Sequence, residues 1–426
     1  MRFEFATATR IIFGPGKLRE AGVLAKDLGR RALVVTGRNQ GPAERLMALL
    51  RKEGIASDPF SVSGEPEVET VKQGAALAKE QRCDLVISLG GGSAIDTGKA
   101  IAAMLTNEGD LADYLEVIGS GKALTTASAP FIAIPTTAGT GSEVTRNAVL
   151  ASPEHRVKVS LRSPHMMPKI AIVDPELAYD LPGGLTASTG LDAFTQLIEP
   201  YVCSRANPMT DALCIEGIRR AARSLPVAFK KPHDAAARED MALASLFGGL
   251  ALANAGLGAV HGFAGPIGGL FPAPHGAICA ALLANVMEGN LNALRRCQSE
   301  SEPRTSSPDH ESRENGPLSP TLSPSEGERE TGASGSTGKM RPSEAIRRYD
   351  EVARLLTARA SATADEGVAW VRNLVSDLQI LRLASYGITR EHIPDVVEKA
   401  ARASSMKANP IVLTPAELAG ILERSL

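Results

Sequence analysis

Asp84-Leu-Val-Ile-Ser-Leu-Gly-Gly-Gly-Ser-Ala-Ile-Asp-Thr-Gly-Lys99 decides how this chain folds. Leu85 to Leu89 is a short apolar run containing Val and Ile, the pattern of a parallel strand buried on both faces. Gly90, Gly91 and Gly92 let the backbone turn sharply and come close to a ligand with no Cβ in the way. Ser93 suits an N-cap, and the Ala-rich segment from Ala94 to Leu105 suits the helix it would start. A strand, a glycine turn and a helix N-terminus bring free N–H groups and the positive end of a dipole to one point. That arrangement cradles phosphate. Asp96 and Lys99 lie three apart on one face of the first helical turns, so Gly90 to Ser93, Asp96 and Lys99 are the first candidate cofactor contacts.

The flanking sequence repeats the same alternation. Phe3 to Phe13 reads as strand, Leu18 to Leu28 as helix, Ala32 to Thr36 as strand and Gly41 to Lys52 as helix. Asp58 to Ser61 reads as a short strand and Val68 to Gln81 as helix. Strands and helices in that order predict a parallel sheet covered on both faces, with ligands at the carboxyl ends of its strands. Phe131 to Ile134 is a further strand, and Pro135-Thr-Thr-Ala-Gly-Thr-Gly-Ser-Glu-Val144 follows it. The hydroxyls of Thr136, Thr137, Thr140 and Ser142 suit phosphate oxygens or an amide-bearing ring. Lys158 to Leu161 and Ile170 to Val173 read as the last strands before Asp174-Pro175.

From Leu185 the texture becomes Ala-, Leu- and Gly-rich with helical periodicity and no strand. The expected architecture is therefore α/β plus all-α. A Rossmann-like parallel-sheet domain spans residues 1–182, and a C-terminal all-helical domain spans 183–426. Residues 297–340 interrupt the helices with Ser, Pro, Glu, Gly and Thr and read as a disordered insertion. A net charge of −2 gives no reason to expect nucleic acid or an anionic membrane as partner, and 4% aromatic residues give no stacking surface for single strands. Five scattered cysteines without C-x-x-C spacing fit reduced thiols, and no apolar run approaches a membrane span. A cytoplasmic location is the expectation.

Thr189-Gly-Leu-Asp-Ala-Phe-Thr-Gln-Leu-Ile-Glu199 opens the helical part, and it places Asp192 and Gln196 one turn apart on one helix face. His261-Gly262 and His275-Gly276 follow, each set among apolar residues. Singly, each histidine reads as a helix-end residue. Together with Asp192 they make a workable three-ligand metal site with open positions.

At these residues the chain resembles the iron-containing (group III) alcohol dehydrogenase family of the dehydroquinate synthase-like fold. The resemblance rests on Gly90 to Lys99, Pro135 to Glu143, Asp174-Pro-Glu-Leu177, Thr189 to Ala193 and the two His-Gly pairs, and it covers the chain except residues 297–340. It implies hydride transfer between NAD(P) and an alcohol, aldehyde or ketone, assisted by a divalent metal, iron or zinc. Asp192, Gln196, His261 and His275 would be the metal ligands, and Asp192, His261 and His275 the catalytic set. Lys158 and Leu177 join the cofactor contacts. Two departures stand out: Gln196 occupies a place the family usually gives to histidine, and Gly265 another. An amide oxygen is the weaker ligand, so metal binding should be weakened. Gly37-Arg38-Asn39 follows the second strand with no acid for a ribose 2′-OH, and Arg38 can pair with a 2′-phosphate, so NADP is expected. The alternatives on the same fold are maleylacetate reductase-like or dehydroquinate synthase-like activity. A dinucleotide-binding protein with a degraded metal site is the third. A homodimer or higher homo-oligomer is expected, with the N-terminal strand pairing across the axis.

Overall fold

The computed structural model describes residues 2–37, 41–301 and 340–426. Its first half runs β1 (Arg10–Phe13), α1 (Ala21–Ala25), β2 (Arg31–Thr36), α2 (Gly41–Lys52), β3 (Ala56–Ser61), α3 (Val68–Glu80), β4 (Leu85–Gly90) and α4 (Gly92–Thr106). A short α5 (Leu111–Tyr114), then β5 (Phe131–Pro135), β6 (Asn147–Ser152), β7 (Val157–Arg162) and β8 (Ile170–Val173) complete it. Six strands form a parallel sheet in the order β1-β8-β5-β4-β2-β3. Side chains alternate between its faces. Leu33, Val35, Val86 and Phe131 pack on one side with the apolar faces of α3 and α4, while Val34, Ile87, Ile132 and Ile134 pack on the other with α1 and α2. Such two-sided burial requires strands that are apolar throughout, and all six residues of β4 are buried.

The register aligns the strand ends that matter. Thr36 pairs with Leu89, and Gly90 with Pro135, so the exits of β2, β4 and β5 share one edge of the sheet.

Several local expectations are corrected. Phe3 to Phe13 is strand only over Arg10–Phe13, because only that segment finds a partner, β8. The Leu18 to Leu28 helix is a 3-10 turn, Lys17–Glu20, followed by α1. Lys158 to Leu161 does not enter the parallel sheet. It forms an antiparallel hairpin with β6, whose alternating buried and half-buried residues the sequence reading passed over. Ser93 is not an N-cap: α4 starts at Gly92, and Gly91 takes the cap position.

The second half is helical: α6 (Gly183–Val202), α7 (Pro208–Lys230), α8 (Ala235–Asn254), α9 (Ala259–Leu270), α10 (His275–Ser301), α11 (Pro342–Thr357), α12 (Ala364–Asp377), α13 (Ile393–Arg402) and α14 (Pro415–Ser425). No strand occurs here among the described residues. α10 carries helix through Cys297 to Ser301, into the segment read as an insertion, and residues 302–339 lie outside the described part. Among the described residues α10 is also the one single helix long and apolar enough to cross a membrane, but 78% of its apolar window is buried in the protein. It is the central helix of the larger core, where Ile278, Leu282, Leu283 and Leu291 meet α6, α11, α12 and α14.

Two backbone contacts clamp the halves together. Gly141, at φ +59°, lies so close to α8 that a Cβ on Gly249 would stand 2.4 Å from the Gly141 carbonyl oxygen. A Cβ on Gly139 would stand 2.8 Å from Thr189 Cβ, at the start of α6. Gly249→Ala should therefore cost about 1–3 kcal/mol through overpacking, read as a lowered midpoint in chemical unfolding followed by circular dichroism.

Candidate metal centre and cofactor cleft

Asp192 and Gln196 face inward from the middle of α6, 1% and 3% exposed. No hydrogen-bond donor reaches Asp192 Oδ1, and Gln196 Oε1 has no partner either. Buried acceptors left this way cost roughly 1–3 kcal/mol each. His261, the third residue of α9, and His275, the first of α10, supply what faces them. His261 Nε2 lies 3.5 Å and His275 Nε2 3.7 Å from Asp192 Oδ1. Burial pushes the Asp192 carboxyl up, but the facing His275 and His261 imidazoles outweigh it and hold the group below the usual aspartate range.

Each histidine is followed by glycine for a packing reason. A Cβ on Gly276 would stand 2.6 Å from the Ser188 carbonyl oxygen, so α10 starts against α6 only without one. A Cβ on Gly262 would stand 2.7 Å from the end of the Met406 side chain. The Gly276 contact is to α6 backbone and sets the His275 imidazole over α6.

The sequence reading missed two residues here. Glu199, also on α6, receives the Val260 N–H at 2.7 Å and lies 2.6 Å from His261 Nδ1. A carboxylate on Nδ1 favours a proton there, which leaves Nε2 as the nitrogen that gives up its own proton to a cation beside Asp192. Asp192, Gln196 and Glu199 follow helical spacing on one face, which is the signal that could have shown it. Cys279, one turn after His275, is fully buried with Sγ 3.7 Å from His275 Nε2 and 3.9 Å from His261 Nε2. Its apolar surroundings made it read as core. The donor atoms of Asp192, His261, His275 and Cys279 all lie within 4.8 Å of one another. Orphaned acceptors facing two imidazole nitrogens fit a divalent cation, so Asp192, His261 and His275 can hold one. His275, its side chain 35% exposed, leaves the site open on one side.

At the sheet edge, Gly90 to Ser93 and the Thr136 to Thr140 loop come together. Gly90 passes so close to Gly37 N that a Cβ would stand 3.2 Å from it. Gly91 lies against Thr137, and a Cβ on Gly92 would meet Thr140 Cγ2 at 2.8 Å. Thr136 N donates to the Gly90 carbonyl at 2.9 Å. No side chain caps α4, so its first N–H groups suit an anionic ligand.

Other candidates serve the scaffold. Lys99 is 1% exposed, and its ammonium donates to Ser142 Oγ at 3.0 Å, Thr145 Oγ1 at 2.9 Å and the Asn147 carbonyl at 2.6 Å. Those acceptors take all three N–H donors, leaving none for a phosphate. Ser142 donates to Asp96, whose other oxygen accepts from Val149 N at 3.0 Å. This network ties α4 to the β6/β7 hairpin. Lys158 pairs with Glu65 at 3.1 Å and presses on Gly268 of α9. Leu177 packs on the sheet core, and Arg38 lies outside the described residues.

Glu143, 2% exposed, lines a cavity of about 10 Å³ with Thr136, Thr137, Asp174 and Ser245. Burial raises its carboxyl from 4.5 to about 7, against the pull of Lys99.

Comparison with known proteins agrees with this geometry. Residues 8–175 match the family model "iron-containing alcohol dehydrogenase", and residues 186–426 match "Fe-containing alcohol dehydrogenase family, C-terminal". The chain is 39% identical over 298 residues to 1,3-propanediol dehydrogenase of Klebsiella pneumoniae, covering 68% of this chain and 76% of that protein. It is 40% identical over 284 residues to alcohol dehydrogenase 4 of Schizosaccharomyces pombe, covering 66% of each. The crystal structure of a 1,3-propanediol oxidoreductase superposes over 100% of both chains with a TM-score of 0.84 at 30% identity.

Glu199→Gln should weaken divalent-metal binding about ten- to a hundredfold, measured by competition with a chromophoric chelator, while helix content stays unchanged. Glu143 contributes stability that is fully present below pH 4.5 and lost as pH rises through about 7. Glu143→Gln should flatten that fall, gaining on the order of 2 kcal/mol at pH 8 relative to pH 4, as read from unfolding midpoints across that range.

Proposed function

The chain belongs to the iron-containing alcohol dehydrogenase family, and from that premise we propose how its residues divide the reaction. The protein is an NAD(P)-dependent alcohol dehydrogenase working with a divalent metal. When bound, the metal supplies Lewis acidity at the substrate oxygen and the nicotinamide takes or gives the hydride.

The observation that carries the assignment of roles is the orphaned Asp192 Oδ1 facing two imidazoles, on a helix whose first turns touch the Thr loop. Asp192, His261 and His275 hold the metal. Gly90, Gly91, Gly92 and Ser93 receive the dinucleotide pyrophosphate at the N-terminus of α4, and Thr136, Thr137 and Thr140 flank it. The Gly139–Thr189 contact fixes the distance between the cofactor loop and Asp192, three residues further along α6. Near-attack alignment depends on such rigidity, since misplacement by about 1 Å can cost about a hundredfold in rate.

Substrate reaches the metal from the side where His275 is exposed. A Cβ on Gly265 would meet nothing within 4 Å, so the turn of α9 after His261 leaves open space for a primary or secondary alcohol or its carbonyl partner. The absence of an acid in Gly37-Arg38-Asn39, together with the Arg38 guanidinium, supports NADP(H) as the preferred dinucleotide. Five scattered cysteines without C-x-x-C spacing support a reducing compartment, the cytoplasm.

Absorbance at 340 nm with NADPH and a panel of short aldehydes tests both parts. Turnover should be lost in His261→Ala, and Arg38→Ala should raise KM for NADPH about tenfold or more with little effect on NADH, the loss of a charged hydrogen bond. Tighter use of NADH than NADPH, unchanged in Arg38→Ala, overturns the cofactor assignment. Failure to turn over any aldehyde or ketone with metal added overturns the assignment of roles.

A further inference from the structure

We propose that Cys279, as a thiolate, is the fourth protein ligand of the metal held by Asp192, His261 and His275, an aspartate–bis-histidine–cysteinate set that favours zinc over iron and admits the substrate oxygen as a fifth ligand. The inference rests on the reading that these residues hold a metal and concerns what completes its shell.

The argument is one of spacing. Bonds of about 2.0–2.2 Å to N and O and about 2.3 Å to S, disposed tetrahedrally, place N and O ligands about 3.4 Å apart and N and S about 3.6 Å apart. The observed separations are 3.5 and 3.7 Å from Asp192 Oδ1 to the two Nε2 atoms. From Cys279 Sγ they are 3.9 and 3.7 Å to the same two nitrogens. All four donors fall within 4.8 Å of one another, the spacing of a small coordination shell. The thiol is within hydrogen-bond reach of both imidazole nitrogens, and all four donors converge on one point, so a cation can replace the protons that now join them.

The backbone holds Sγ there. His275 and Cys279 are one turn apart on α10, so they share a face, and Gly276 between them lets that face close on Ser188 of α6. Asp192 and Gln196 repeat the same spacing on α6. Of the two residues available as fourth ligand, Gln196 offers a neutral amide oxygen and Cys279 a soft anionic sulfur. Sulfur is the softer and anionic donor of the two, and zinc, which lies above Fe²⁺ in divalent affinity, gains from it. Binding forms the metal–sulfur bond and displaces the thiol proton to solvent, with no redox change. Gln196 then stays beside Asp192, one turn further along α6. The other cysteines, 83, 203, 214 and 297, are not in the cluster.

The full-length protein, stripped with chelator, is titrated with Co²⁺ and separately with Zn²⁺. Wild type and Gln196→Ala should show thiolate-to-cobalt charge-transfer absorption in the near ultraviolet, and Cys279→Ser should lack it. Cys279→Ser should also bind Zn²⁺ at least about a hundredfold more weakly, the upper end of what outer-shell changes cost. X-ray absorption on zinc-loaded wild type, which depends on no variant folding, should show one sulfur at about 2.3 Å. Cobalt or zinc bound without sulfur, or unchanged affinity in Cys279→Ser, overturns the thiolate ligand alone. Absence of any bound metal in wild type overturns it together with the metal-site reading.

Discussion

A carboxylate taken from water into a protein interior loses hydration worth several kcal/mol, which only a nearby positive charge or good donors can restore. Asp192 is 1% exposed, and no donor reaches one of its oxygens. That one constraint organises the helical half. Two helices begin beside it, α9 and α10, and each presents a histidine within its first three residues. Glu199 sits on the outward nitrogen of His261, and the glycine after His275 removes the Cβ that would keep the start of α10 away from α6. The apolar cluster around α10 buries the site, so electrostatic attraction toward a cation is stronger there than at a surface.

The parallel sheet contributes a second requirement, that its ligand-binding edge and Asp192 stay in fixed relation. Backbone-to-backbone approach at Gly141 and Gly249 meets it, because two chains without Cβ atoms can come closer than any pair of side chains permits. Lys99 has a supporting part. Its ammonium, fully enclosed by Ser142, Thr145 and Asn147, holds the loop after β5 against α4 and so sets where Thr137 and Thr140 stand. Removing it would also take away the ammonium 3.5 Å from Asp96 Oδ1.

Much of this was legible in the sequence because the informative features are local. A buried strand, three glycines and a helix are contiguous, so their geometry follows from chain stereochemistry alone. The same holds for Asp192 and Gln196, one helical turn apart. What escaped reading depends on contacts between distant segments. Lys99 looked like a phosphate ligand because nothing in its neighbourhood of the sequence reveals the hydroxyls of Ser142 and Thr145. Cys279 looked like core because an apolar helix gives no sign of which of its faces meets α6. The β6/β7 hairpin was half missed because Lys158 to Leu161 finds its partner in Asn147–Ser152 and not in the large sheet.

The length of α10 has a practical side. The helix that starts at His275 runs to Ser301, and at about 1.5 Å per residue its far end is about 33 Å from Cys279. The chain leaves the described body at Ser301 and returns at Met340, so whatever lies between is attached at a point remote from the chemistry. Such a point is a natural port: a fluorescent label, an affinity handle or a partner enzyme grafted there would report on or redirect the protein while the cofactor cleft stays untouched.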